Sequence, residues 1–435
     1  MKLFSAFTLI VLFSLPMNSR ALTLGEGLKT VVDGGRDVTI ARSYEDAARS
    51  TVSLARSPWL PTLDVYARET WLQYEPAAKL PFSIPGAPSS IPQSQDQFLT
   101  YGVKATQILY DFGKTSSSIG AARFGLRSRE IETSRTRNLS ALEFITTYLD
   151  LLEADKLLQV ANEEVLRYEA HKKDTESRYK AGVVTKNEVL QVDVTLADSR
   201  QRALIAQNSR SLKASKINSL IMKPLSDPVQ PEEIKQSPAA GIRLEDAWAA
   251  AETGNEDLRD LDAQIAAKEE QVRMVRAEYL PTFYVTGGYE YSENKYTVHE
   301  DSWSVIAGVT MNLASGGASS SRLQIAKSEA RSLKLTREKT LDAVRLQAQA
   351  AYLDVQSSLQ RIDVTKTAVD QAQENLRLQR LRYREGVGTA TDVLDAVTLL
   401  STAESNSWKA LYGLKRAEAS LLYSMGRDLA TTYRN

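Results

Sequence analysis

The sequence carries one structural plan twice, and this duplication limits the possible folds more than any other feature. A Leu-Pro pair at 60–61, which follows a charged helical segment, recurs 220 residues later at 280–281. The segment RYKAGV at 178–183 recurs 204 residues later as RYREGV at 382–387. The 16-residue difference between these offsets falls in a segment with five prolines at 75–95, which predicts a longer loop in the first copy. The chain is therefore predicted to repeat one structural unit.

Each copy contains two runs in which apolar and polar residues alternate. Such alternation predicts strands with one apolar and one polar face, at about 59–75, 97–110, 280–292 and 302–313. The predicted apolar faces carry Leu99, Tyr101, Val103, Ala105 and Leu109 in the first copy, and Phe283, Val285, Tyr289, Tyr291, Trp303, Val305, Ala307, Val309, Met311 and Leu313 in the second.

A long helix is predicted after the second strand of each copy. Its apolar residues recur at alternating spacings of three and four, which is the pattern of a coiled coil. In the second copy the pattern runs through Leu341, Val344, Ala348, Ala351, Val355, Ile362, Val369, Ala372 and Leu376. Each helix is predicted to have about 65 residues and a length of about 100 Å, well beyond the diameter of a compact domain.

Glycines mark the ends of these long helices. Gly182 and Gly386 lie in predicted tips at 181–184 and 385–388, and a return helix follows each tip. A segment with four prolines is predicted to link the two copies. The predicted organisation is a first repeat at 22–222, a linker at 223–243, a second repeat at 244–426 and a C-terminal tail at 427–435.

Composition excludes several functions. The chain has 54 Lys and Arg against 54 Asp and Glu, so no excess of positive charge indicates nucleic-acid binding. It has no cysteine, which excludes disulfides, thiolate metal sites and a cysteine nucleophile. Residues 1–21 have the layout of a secretory signal peptide, with Lys2, an apolar run and a small-x-small cleavage site ending at Ala21. The mature protein is therefore predicted to be exported.

The predicted strands leave two interpretations open. Four one-sided strands are too few for a single-chain barrel, which needs about eight, so several chains would have to contribute. Strands of about ten residues with aromatic-rich apolar faces suit a bilayer. The alternative is a soluble β-sandwich packed on the helices. An alternative hypothesis for the whole protein is a periplasmic coiled-coil scaffold or tether, which would not form a channel.

The order of these features resembles the TolC-like outer-membrane efflux protein family. The segments SPWLPTLDV, LYDFGK and RYKAGVVTKNEVL in the first copy, with AEYLPTFYV and RYREGVGTATDVLDA in the second, carry the resemblance. It implies a mainly α fold with four membrane β-strands per chain. Three copies would then form a trimeric α-barrel of long helices and share one 12-stranded β-barrel. It also implies a passive export duct, gated at its periplasmic end, in tripartite efflux or type I secretion.

The resemblance implies partners as well. These are a homotrimer, a periplasmic membrane-fusion adaptor, an inner-membrane pump of the RND, ABC or MFS type, and lipid of the Gram-negative outer membrane. The adaptor contact is placed at the tips, at Gly182, Val183, Gly386 and Val387. Each tip glycine has a simpler interpretation, because a glycine ends a helix whether or not a partner binds.

Two aspartates near the second tip are candidates for a pore role. Asp392 and Asp395 lie three residues apart and share one helix face. The resemblance implies that in a trimer they form two stacked carboxylate rings that narrow the entrance and favour cations. Asp392 has a second interpretation, because Thr389-x-x-Asp392 is a capping-box pattern. Glu188 is its counterpart in the first copy and also follows a threonine by three positions.

The resemblance further implies that Tyr383 and Glu188 help to hold the entrance shut through links between neighbouring helix pairs. Some relatives carry an arginine two residues after the tip glycine, where this chain has Gly388. The candidates to replace that arginine are Arg382, Arg384 and Lys186.

The sequence predicts no catalytic site, metal or cofactor. The two histidines, His171 and His299, lie in charged surroundings without the spacing of a metal site. Both are predicted to be solvated surface residues. The protein is accordingly predicted not to be an enzyme.

Overall fold

The computed structural model of the protein describes residues 21–81, 85–86, 88–234, 237–239 and 241–433. The predicted signal peptide thus lies outside the described residues, except for Ala21. The chain forms two compact units. The helical unit combines the residues up to Thr39 with Arg135–Asn255 and the chain from Val344, and the sheet unit combines Ile40–Ser134 with Glu256–Ala343.

Helices account for most of the described chain, as the two predicted coiled coils require. They are α1 (Leu24–Gly34), α2 (Arg36–Arg56), α3 (Lys114–Lys180), α4 (Lys186–Leu220), α5 (Leu244–Gly254), α6 (Glu256–Ala277), α7 (Ala318–Arg384), α8 (Ala390–Ser424) and α9 (Leu429–Thr432). The long helices α3 and α7 have 67 residues each, close to the predicted 65, and the return helices α4 and α8 have 35 each. Among the described residues, no helix combines the length and the apolar character needed to cross a bilayer.

The sheet unit contains one four-stranded antiparallel sheet. Its strands are β1 (Thr62–Trp71), β4 (Gln97–Tyr110), β5 (Thr282–Ser292) and β6 (Asp301–Thr310), paired in the order β1-β4-β5-β6. The central pairing of β4 with β5 joins the two copies into one sheet. The strand β1 is shorter than predicted, because Ser57–Trp59 forms a single 3-10 turn that contains Pro58.

The register places the predicted apolar positions on one face of this sheet. Val65 lies opposite Val103, which lies opposite Tyr289, which lies opposite Trp303. Residues directly opposite one another in antiparallel strands point to the same face, and the face alternates along each strand. Large apolar side chains on this face are solvent-exposed in the single chain, with Val65 at 77% and Trp303 at 79%. The prediction of one-sided strands is confirmed.

The proline-rich loop contains structure that the sequence did not predict. Within 75–95, β2 (Ala77–Lys79) pairs with β3 (Ser90–Pro92) in a short antiparallel hairpin. The two strands have three residues each, too few for an alternating pattern to be recognised.

An aromatic core holds the helical unit together. Phe144 and Tyr148 of α3 are completely buried among apolar side chains of α1, α4 and α8. The Tyr148 hydroxyl accepts a 2.7 Å hydrogen bond from the backbone N–H of Glu232 and lies 2.7 Å from the carbonyl oxygen of Leu22. Because a buried phenol needs polar partners, this hydroxyl fixes the predicted linker and the segment that precedes α1 against α3.

Candidate functional site at the helix tips

The two tips have the same backbone conformation. The backbone φ angle is +74° at Gly182 and +76° at Gly386, a region that glycine occupies without steric penalty. In each tip the valine after the glycine donates its N–H to a carbonyl five residues earlier, at 2.9 Å for Val183 and 3.0 Å for Val387. These bonds close the last turns of α3 and α7 as in a Schellman motif. The helix-ending interpretation of both glycines is confirmed, and the adaptor contact stays a prediction.

Capping boxes begin both return helices. At the start of α8, the Thr389 hydroxyl accepts the N–H of Asp392 at 3.2 Å, and the Asp392 carboxylate accepts the N–H of Thr389 at 2.9 Å. The backbone bond from Thr389 lowers the pKa of Asp392 below its ordinary value, because it favours the charged carboxylate. In α4, Glu188 accepts the N–H of Thr185 at 3.4 Å. The capping interpretation is therefore confirmed for both acids.

Asp395 differs from Asp392 in its surroundings. It lies one turn further along α8, beyond the cap, and its side chain is exposed, whereas Asp392 is half-buried. Among the described residues Asp395 has no ion-pair partner. The carboxylate of Asp395 thus faces solvent, whereas the carboxylate of Asp392 caps the N-terminus of α8. The pore role of both residues stays a prediction.

Tyr383 is the centre of a buried cluster beside the tips. Its side chain is only 3% exposed, although it lies within three residues of the tip glycine. The phenol donates a 3.2 Å hydrogen bond to the hydroxyl of Thr175 on α3. Burial raises the pKa of the Tyr383 phenol, and the nearby carboxylate of Glu188 adds to the rise. The two predicted latch residues are therefore close enough for the Glu188 carboxylate to influence the Tyr383 phenol electrostatically.

One cation in this cluster is Arg178, which the sequence analysis did not identify. Its guanidinium carbon lies 4.8 Å above the Tyr383 ring, in a cation–π contact, and its Nη2 donates to the carbonyl oxygen of Arg384 at 2.9 Å. Arg178 thereby ties the end of α3 to the end of α7. The proposed substitutes Arg382, Arg384 and Lys186 make no such contact with the ring. The internal repeat could have indicated Arg178, because it is the first-copy counterpart of Arg382, one of the three predicted candidates.

Close packing around position 388 explains why a glycine stands there. A Cβ atom at this position would lie 3.2 Å from the Cβ of Arg382 and from the backbone nitrogen of Tyr383. Any larger residue would need one of these neighbours to move by a few tenths of an ångström. The glycine therefore allows the chain after the tip to pass close to the last turn of α7.

His171 lies inside the cluster, so the prediction that it is a solvated surface residue was wrong. It is 6% exposed, and its ring meets the Tyr383 ring edge to face with 5.1 Å between centroids. Its Nε2 lies 3.3 Å from the carbonyl oxygen of Ala390 at the start of α8. His299 is exposed in the loop between β5 and β6, as predicted.

The error at His171 has a clear cause. The prediction weighed the charged residues beside it in the sequence, whereas its position on the helix decides its burial. His171 follows the fully buried Tyr168 by three residues and precedes the fully buried Thr175 by four, so all three share one face of α3. Burial lowers the pKa of the His171 imidazole below its ordinary value of 6.5.

Further from the tip, α3 is bound to α8 by two polar contacts. Tyr168 and Thr398 share a 2.8 Å hydrogen bond between their hydroxyl groups. Arg167 donates two 2.8 Å hydrogen bonds to the two carboxylate oxygens of Glu404. Burial opposes the charge on Arg167, but the bonds to Glu404 outweigh it and raise the pKa of the guanidinium. These contacts bind α3 to α8, and a buried apolar cluster that includes Leu376 and Tyr383 of α7 packs with both helices at the tip end.

Comparison with known proteins matches this architecture. The sequence fits the family model described as outer membrane efflux protein over residues 31–221 and 249–427. Nodulation protein T of Rhizobium leguminosarum bv. trifolii is 21% identical over 399 residues, covering 90% of this chain and 82% of that protein. The outer membrane efflux protein BepC of Brucella suis biovar 1 (strain 1330) is 27% identical over 189 residues, covering 42% of this chain and 40% of BepC. The solved structure of the outer membrane protein VceC from Vibrio cholerae has a TM-score of 0.77 at 17% identity, covering 93% of this chain and 96% of VceC.

Proposed function

Because the chain belongs to the outer membrane efflux protein family, we propose that it is the outer-membrane channel of a tripartite efflux or type I secretion system. In this role it is a passive duct that crosses the outer membrane and the periplasm. The family and the fold are those of channel proteins rather than enzymes. The observation that carries the proposal is the four-stranded sheet with its exposed apolar face and two open edges.

The open edges favour assembly with further copies of the chain. In the described chain β1 and β6 each pair on one side only, so each presents a row of free backbone N–H and C=O groups. Unpaired backbone groups are costly in a bilayer, where only a closed sheet satisfies them. Three copies would contribute 12 strands, an even number within the range of bacterial outer-membrane barrels. A homotrimer therefore accounts for edges that one chain leaves open.

The helix lengths suit a tunnel through the periplasm. At about 1.5 Å per residue, α3 and α7 are each about 100 Å long. The tips carry exposed valines, Val183 at 62% and Val387 at 68%, each beside its glycine. Apolar side chains exposed at the end of a long helical hairpin suit contact with a periplasmic adaptor, which in turn joins an inner-membrane pump.

The tip cluster suits a gate. Tyr383, Thr175 and Arg178 join the first hairpin to the second, so the tip can open only if these contacts are exchanged for others. Asp395 supplies an exposed carboxylate near this point, and three copies would form an acidic ring that attracts cations. Asp392 would add a second ring while also capping α8.

Single-channel conductance in planar bilayers tests this function. The full chain, purified in detergent, should give discrete cation-selective openings, and Asp395→Asn should lower the selectivity for cations. The matched control is Asp363→Asn, which removes an exposed acid from α7 far from the tip. A protein that gives no conductance and remains in solution without detergent is a scaffold or tether instead, and the proposal is then wrong.

A further inference from the structure

A basic groove lies between α6 and α7 in the sheet unit, close to the strands. It has a volume of about 370 Å³ and is lined by Arg273, Arg276, Lys327, Arg331 and Lys334 together with one acid, Glu269. We call these five cations and the space between them the basic groove. Its α6 side ends at Ala277, just before β5 begins at Thr282. The groove therefore lies at the end of the sheet from which the long helices extend.

Three of the five cations have no acidic partner among the described residues. Lys334 pairs with Glu269 at 2.7 Å, and Arg273 pairs with Glu270. The side chains of Arg276, Lys327 and Arg331 are exposed and make no ion pair within the described chain. The groove thus has an excess of positive charge in a protein whose overall formal charge is zero.

The internal repeat provides an independent observation. At the 220-residue offset Arg276 corresponds to Arg56, and at the 204-residue offset Lys327 and Arg331 correspond to Arg123 and Arg127. Lys and Arg make up only 54 of the 435 residues, so basic counterparts at all three positions are not expected by chance. Arg127 pairs with Glu130 at 3.0 Å, so the three basic positions belong to the duplicated plan, whereas in the first copy the charge at one of them is paired.

Exposed side chains near the basic groove show where the groove lies relative to the sheet. Three residues after Arg56 and Arg276 stand Trp59 and Tyr279, which are 56% and 40% exposed. Leu313, after the end of β6, is 85% exposed. The exposed surface thus changes from apolar, through aromatic, to basic as the chain leaves the strands. This order is characteristic of the boundary between a bilayer and water.

We propose that the basic groove binds the phosphate headgroup of an anionic phospholipid in the leaflet that faces the periplasm. This inference rests on the proposed function, because it requires the strands to lie in the outer membrane. Guanidinium groups bind phosphate oxygens through two parallel hydrogen bonds, and basic residues near a bilayer surface attract anionic lipids. The groove volume falls within the range of small-molecule sites, about 300–1,000 Å³. Arg56 and Arg123 hold the corresponding positions of the first copy.

Native mass spectrometry of the full chain in detergent, titrated with dioctanoyl phosphatidylglycerol, tests the proposal. The wild type should bind this lipid about tenfold or more tightly than dioctanoyl phosphatidylcholine. The triple variant R276Q/K327Q/R331Q should lose that preference. The control K339Q/K366Q/K409Q removes the same charge from exposed positions outside the groove and should keep it. If the triple variant does not fold, Arg276→Gln alone should still weaken binding by about threefold or more.

Three results would overturn the lipid site. They are equal affinity for the two lipids, an unchanged preference in the groove variants, and complete displacement of the lipid by equimolar inorganic phosphate or polyglutamate. Conductance of the same samples separates this failure from that of the proposed function. A conducting wild type without lipid preference refutes only the lipid site, whereas a wild type that does not conduct refutes the channel.

Discussion

The phenol oxygen of Tyr383 on α7 lies 3.2 Å from the hydroxyl oxygen of Thr175 on α3, and the phenol donates this bond. Thr175 in turn donates to the carbonyl oxygen of His171 at 3.0 Å, one turn earlier on α3. The two hairpins are thus joined by a buried chain of polar groups. Such a chain stabilises one arrangement of the hairpins only while each of its members has a partner.

Removing the Tyr383 hydroxyl is expected to favour the open tip. Tyr383→Phe leaves the buried Thr175 hydroxyl without this donor, at a net cost of about 1 kcal/mol, or roughly fivefold in the equilibrium between closed and open states. The open probability of single channels in planar bilayers should rise by about that factor. Tyr179→Phe is the matched control, because Tyr179 is the repeat counterpart of Tyr383 and is 45% exposed. Equal effects of the two variants would contradict a role for the 3.2 Å bond.

Acidification is expected to loosen the cluster around His171. Burial lowers the pKa of this histidine in the packed state below 6.5, so the packed state binds fewer protons than an opened tip. Stability is therefore complete above about pH 6.5 and is lost as the pH falls from there toward the lowered pKa. The guanidinium of Arg380 adds to the lowering, while Asp174 and the carbonyl of Ala390 oppose it. Channel openings should become more frequent as the pH falls from about 7.5 to about 5.5.

The variant His171→Asn tests this pH response, since asparagine fills a similar space and does not titrate. It should open with the same frequency at both pH values. His299→Asn is the control, because it removes an exposed histidine and should keep the wild-type response. A pH response that survives in His171→Asn would assign the effect to another group.

Periodicity predicted the elements of this fold because it reports which face of a helix or strand is apolar. It placed Val103 and Tyr289 on apolar strand faces, but it did not predict that they lie opposite each other, since alternation does not specify a partner strand. Local patterns predicted the cap at Thr389, because its partner is three residues away. The contact of Tyr168 with Thr398 joins residues 230 positions apart, and no local pattern encodes it.

Asp392 and Asp395 are expected to respond differently to substitution. Asp392→Ala removes the carboxylate that caps α8 and should destabilise the first turn of α8 more than Asp395→Ala does. Asp395→Ala removes an exposed carboxylate beyond the cap and should change stability by less than about 0.5 kcal/mol. Hydrogen exchange at the first amides of α8 measures both effects. Glu188→Ala should behave like Asp392→Ala in α4, and the opposite ranking of Asp392 and Asp395 would contradict the capping role.

The ends of the return helices offer a test of the repeat itself. Gly426, after α8, has a φ angle of +67°, and its first-copy counterpart Met222, after α4, has +59°. The same backbone hydrogen bond closes both helices. The N–H of Lys223 donates to the carbonyl oxygen of Asn218 at 2.8 Å, and the N–H of Arg427 donates to the carbonyl oxygen of Leu422 at 3.0 Å. A side chain in this region costs about 1 kcal/mol or more, so the first copy carries strain that the second avoids.

Met222→Gly is therefore expected to raise the free energy of unfolding by about 0.5–1 kcal/mol, after the added flexibility of the unfolded chain is subtracted. Little packing is lost, because Met222 is 44% exposed. Gly426→Ala should do the opposite and cost about 2 kcal/mol or more, since its Cβ would lie 2.3 Å from the backbone carbon of Gly254. Thermal unfolding of the detergent-purified protein measures both changes. A destabilised Met222→Gly would mean that the thioether packing outweighs the backbone strain.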